Sequence, residues 1–296
     1  MQQEIETTCL AEGASAVKSD MKDTLACKTK EALDSCASFA ETLAAFYFEP
    51  LRQDQIDALA ERGLEAFRGL NEDFDRGIND ITRCLRRRNT GTRQQLACDF
   101  TSAFVGTKTW EGKSAVPYES VFTSEDGLLC QGSYHDVVRA FRNEGLRKDD
   151  GLNIPDDHIS YLLQFVAVLT RRAGEAVATG DSANARHDLD TARTFMSEHI
   201  LSWFDEFNAR ACLLIETRFY RGVLSMTKGF LTFLYDFESR IAQTCCSQDA
   251  DQARTSGGDT CLVETMAPVA NVTEGDGVIP DVVAADIDTC ASRARA

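Results

Sequence analysis

Three features of this chain predict an all-α fold. Apolar residues recur at helical spacing, no stretch alternates apolar and polar like a half-buried strand, and only five prolines interrupt the pattern. A single helical bundle of about eight to ten helices is expected over residues 29–243. It is flanked by a polar, partly helical extension (1–28) and an acidic tail (244–296).

From Thr29, a stripe of Leu33, Cys36, Ala40, Leu43, Ala44 and Tyr47 marks a helix that stops at Glu49-Pro50. Ile56, Leu59, Ala60 and Leu64 carry a second helix, from Gln53 to Phe67. Phe74, Ile78, Ile81 and Leu85 carry a third, from Asn71 to Arg87, where Arg86-Arg87-Arg88 suits the negative end of the helix dipole. Gly91 breaks the chain, and Thr92 opens a fourth helix with Leu96, Phe100, Ala103 and Phe104 inward. Residues 107–128 have no period and read as an irregular but ordered segment containing Pro117-Tyr118-Glu119-Ser120.

Ser133 and Asp136 make a capping-box-like start for a helix with Val137, Val138 and Phe141. The most apolar helix follows, with Ile159, Leu162, Leu163, Phe165, Val166 and Leu169 inward. Pro155 suits its first position, which puts Asp156 and Asp157 in the first turn as caps. Asp181 or Ser182 caps a long helix through Leu189, Phe195, His199, Trp203 and Phe207. Phe219, Val223, Phe230, Leu234, Phe237 and Ile241 form the last. After Gln243 the helical stripe is lost, aromatics vanish, and a disordered acidic tail is expected.

A formal charge of −16 excludes nucleic acid and anionic membrane as natural partners and leaves basic peptides as better ones. The N-terminal residues carry no basic and apolar export signal. The longest apolar run, Phe165 to Leu169, falls far short of the roughly 20 residues needed to span a bilayer, so a cytoplasmic protein is expected. The eleven cysteines are odd in number and match no common zinc spacing. Cys36, Cys84, Cys98 and Cys212 read as small buried residues, and the remaining tail cysteines (Cys245, Cys246, Cys261, Cys290) as free thiols.

No dinucleotide fingerprint, P-loop or nucleophile elbow is present. His187 and His199 are twelve residues apart on one expected helix, so they point about 120° from each other and read as independent. Asp156-Asp157 invites comparison with the aspartate-rich helix of prenyl-chain enzymes, but Ser160 stands where that motif needs its third aspartate. Asp157 and His158 are adjacent and diverge on a helix, which excludes a dyad between them. No catalytic residue, metal ligand or cofactor is expected. The rival reading is a nucleotide-hydrolysing or metal-dependent all-helical enzyme.

The stretches Asp99–Gly106, Val116–Phe122, Gly127-Leu128-Leu129 and Pro155–Ile159 resemble, in this order, the TorD/DmsD family of cytoplasmic chaperones for molybdenum enzymes. The resemblance runs from about Thr29 to Gln243. It implies a TorD-like helical domain without turnover that binds the twin-arginine leader, the apo form, or both, of a molybdopterin oxidoreductase of the dimethyl-sulfoxide-reductase type. Binding would assist folding and cofactor insertion before export or assembly. It further implies a client-binding surface of Phe100, Ala103, Phe104, Pro117, Tyr118, Glu119, Pro155, Asp157 and His158. Asp157 and Glu119 would meet the arginines, and Phe100 and Phe104 the apolar run. Some members are linked to guanine nucleotides, for which this chain has no motif. Ala103 stands where leucine is usual, and Leu162 and Gln164 replace carboxylates. Family members occur as monomers and domain-swapped dimers, and Asp149-Asp150-Gly151 offers a hinge for a swap.

Overall fold

The computed structural model describes the backbone of residues 2–148 and 152–253, and side chains within 24–148 and 152–245. The helices are α1 (Gln2–Phe48), α2 (Gln53–Arg62), α3 (Glu72–Arg86), α4 (Thr92–Ala103), α5 (Glu119–Thr123), α6 (Gly132–Asn143), α7 (Ile159–Thr179), α8 (Ser182–Met196), α9 (Ser202–Leu214) and α10 (Arg218–Ala253). A 3₁₀ turn spans Glu65–Phe67, and a π-helical turn, Ser197–Leu201, joins α8 to α9. The described residues contain no strand, only two isolated β-bridges. The fold is the expected all-α domain.

The predicted stripes form the core. Leu33, Leu43, Ile78, Ile81, Leu162, Leu163, Val166, Val223 and Leu234 are fully buried. α7 lies against α1 and α8, and α10 against α3 and α8. Arg171 holds Glu41 of α1 through two hydrogen bonds of 2.6 and 3.0 Å, and Ser160 Oγ donates to Ala44 O at 2.8 Å. α3 and α10 meet backbone to backbone. A Cβ on Gly77 would stand 2.5 Å from Gly222 O, and one on Gly222 would stand 2.8 Å from Gly77 O. Only glycine permits that approach.

Several elements differ from the expectation. α2 stops at Arg62 because Gly63 takes a positive φ of 71°. The segment expected to be irregular contains α5. Ser133 and Asp136 do not cap α6: Ser133 shares a hydrogen bond with Thr123, and Asp136 pairs with Arg139. α7 starts at Ile159, not Pro155, so Asp156 and Asp157 are not its first-turn caps. Its N-cap is His158, whose Nδ1 accepts from Ser160 N at 3.2 Å. Asp181 caps α8 as expected, by accepting from Asn184 N at 3.1 Å. Cys98 is exposed rather than buried.

The expected tail begins inside α10, where Cys245 is buried; most of the tail lies outside the described residues, as does the Asp149-Asp150-Gly151 hinge. No helix among the described residues is long and apolar enough to cross a membrane.

Candidate functional site

The two polar stretches singled out in the sequence meet at one corner. Tyr118 and His158 form an antiparallel bridge, with Glu119 N donating to Asp157 O at 3.1 Å and Ile159 N to Pro117 O at 2.9 Å. Asp157 is fully buried. Its Oδ2 accepts from Ser120 N at 3.0 Å and Ser120 Oγ at 2.6 Å. The free N–H groups at the start of α5 make this possible, since a helix leaves its first donors unpaired. The carboxylate that reads as a cap for α7 therefore caps α5, across 37 residues of sequence. Ser120 Oγ in turn accepts from Cys130 N at 3.1 Å, which ties the α5–α6 loop into the same point.

Glu119, 3% exposed, turns the other way. Both of its oxygens lie 3.1 Å from His199 Nδ1, so the π-helical turn is pinned to α5. Sequence reasoning missed His199 as a partner because a regular helix would aim it elsewhere; the extra residue of a π turn redirects it. Trp203 Nε1 donates to His199 O at 2.6 Å.

Burial governs the titration of these groups. It raises the Asp157 carboxyl above its ordinary range, opposed by the bonds from Ser120. It also raises Glu119, opposed by His199. Burial lowers His158 to about 3. His158 is thus a neutral imidazole with Nδ1 occupied as an acceptor, packed edge-on against Tyr118 at 4.9 Å.

The expected aromatic wall is part of the core. Phe100 and Phe104 are each 4% exposed and Ala103 is fully buried. Phe104 packs against Tyr47, Phe207 and Tyr220 with centroids 5.4 to 5.9 Å apart. Asp99, beside them, accepts from Glu216 N and Thr217 N and so fixes the approach to α10. Pro117 is buried, while Tyr118 and Pro155 are half-buried at the rim. Phe100, Phe104, Glu119 and Asp157 are therefore buried rather than surface-lining in this conformation.

The exposed part of the corner is the α5–α6 loop. Glu125 and Asp126 are exposed, followed by Leu128 and Leu129, 54% and 46% exposed. Phe122 is half-buried beside them, stacked on Trp203 at 5.2 Å, with the Arg210 guanidinium 4.7 Å above its ring. Acid followed by paired leucines was readable in the sequence; that these residues face solvent was not.

Residues 67–209 match the family described as "Nitrate reductase delta subunit". Chaperone protein TorD of Vibrio vulnificus (strain YJ016) is 26% identical over 200 residues, covering 66% of this chain and 90% of that protein. Chaperone protein TorD of Vibrio cholerae serotype O1 (strain ATCC 39315 / El Tor Inaba N16961) is 24% identical over 196 residues, 64% of this chain and 85% of that protein. The fold is a helical bundle with a loop-built polar corner. These matches support the TorD/DmsD family of molybdoenzyme-maturation chaperones as the one this chain is similar to.

Proposed function

We propose that the protein is a cytoplasmic chaperone that binds the twin-arginine leader or the apo form of a molybdopterin oxidoreductase of the dimethyl-sulfoxide-reductase type. It acts by binding, without turnover, and assists folding and cofactor insertion before export or assembly. The observation that carries this reading is the junction of Pro117–Ser120 with Pro155–His158 at one corner, beside a loop that exposes carboxylates next to leucines. A leader offers arginines followed by an apolar run, and Glu125, Asp126, Leu128 and Leu129 are the complementary surface, with Tyr118 and Pro155 at the rim. Non-enzymatic action is supported by the corner's polar groups: Asp157 and His158 hold backbone N–H groups, and His158 is a poor base at neutral pH.

Calorimetry with a twin-arginine leader peptide tests the reading. Glu125→Lys with Asp126→Lys is expected to weaken binding by about tenfold or more, since a charge reversal costs at least about 1.4 kcal/mol when both charges are close. A leader that binds the variant as tightly as the wild type sinks the assignment.

A further inference from the structure

Away from the corner, the end of α6 and the first turns of α8 gather three side chains of metal-ligand type. Glu144 stands just past α6, His187 and Asp188 lie on α8, and one ligand atom from each falls within 4.8 Å of the others. His187 Nε2 is 3.5 Å from Glu144 Oε1. That separation is long for a hydrogen bond. It is close to the roughly 3.4 Å edge between two donors that each sit about 2.1 Å from a tetrahedral zinc ion.

Asp188 supplies an independent observation. It is only 9% exposed, and Arg172, His187 and Glu144 are the charged groups around it. A carboxylate this far from water is costly unless it is paired or holds a metal. Arg172 is the neighbouring cation. Its Nη1 donates to Glu144 O at 3.2 Å and lies 3.7 Å from Glu144 Oε2. The two oxygens of Glu144 are thus divided, Oε2 toward Arg172 and Oε1 toward His187.

We propose that Glu144, His187 and Asp188 form a binding site for one divalent transition ion of the zinc type. An imidazole with two carboxylates suits zinc better than magnesium or calcium, which favour all-oxygen shells. Arg172 orients Glu144 from outside the ligand set. His187 is itself exposed and also lines a groove of about 560 Å³ along α8. The ion staples the end of α6 to α8, two elements that α7 separates in sequence.

The test is titration of metal-stripped full-length protein with Co²⁺ and with Zn²⁺, following visible absorption and the thermal midpoint. One equivalent of cobalt is expected to bind with tetrahedral nitrogen–oxygen bands and no thiolate charge-transfer band, and zinc is expected to raise the midpoint. His187→Ala, at an exposed position that leaves folding intact, and Asp188→Asn are each expected to weaken binding by about tenfold or more. No cobalt binding at micromolar concentration, a thiolate spectrum alone, or unchanged affinity in His187→Ala overturns the site.

Discussion

At the α5 corner the buried carboxylate of Asp157 receives two hydrogen bonds on one oxygen, whereas between α7 and α10 the buried carboxyl of Glu238 has only the Thr170 hydroxyl at 2.7 Å. The same hydroxyl lies 2.8 Å from Val166 O and has a single proton. With that proton shared between Val166 O and the carboxyl, burial pushes Glu238 up to about 8 against the opposing Thr170 hydroxyl and Arg193 charge. The difference follows from the backbone. Inside continuous helices every N–H is committed to the i−4 carbonyl, while the start of a short helix at a loop junction has donors to spare. An acid in the bundle therefore stays protonated, and an acid at the corner organises two loops.

Four measurements break or sharpen that contrast. The largest effect is expected at Glu238. Its carboxyl binds its proton more tightly folded than unfolded, so stability falls as pH rises from about 4.5 to about 8. At about 1.36 kcal/mol per unit the loss has an upper bound of about 5 kcal/mol. Glu238→Gln is expected to flatten this slope in urea denaturation series at several pH values. A variant that keeps the wild-type slope shows that Glu238 is not the group responsible.

Next in size, Asp157→Ala strands Ser120 N and Oγ in a buried site and is expected to cost about 2–4 kcal/mol. Ser120→Ala removes a single hydroxyl and is expected to cost about 1 kcal/mol. Equal losses for the two in denaturant midpoints contradict the view that the aspartate organises the corner.

His199→Ala removes the partner of Glu119 and is expected to cost about 1–2 kcal/mol. Because His199 opposes the upward push of burial on Glu119, the variant's Glu119 should titrate higher still. The pH range over which stability is lost on raising pH then extends upward, which denaturation between pH 4.5 and 7 reads directly. The smallest stability effect belongs to Leu128→Ser with Leu129→Ser. The change is expected to stay within about 0.5 kcal/mol, since both side chains face solvent, while leader binding falls in calorimetry.

Hydrophobic periodicity by itself determined the all-α class and nearly every core position. Phe74, Ile78, Ile81 and Leu85 fall on one face and pack inward, because a helix repeats every 3.6 residues and its face can be read locally. The two stretches that meet at the corner were legible too, as Pro117–Ser120 and Pro155–His158. What each residue does there was decided by tertiary structure. Asp157 has the local context of a helix cap, and only the arrival of Ser120 makes α5 its partner. His199 lies 80 residues from Glu119, and a π turn that periodicity does not reveal brings them together. Local spacing encodes which face of a helix is buried; a polar side chain takes its role from whichever unpaired donor the fold brings within 3 Å of it.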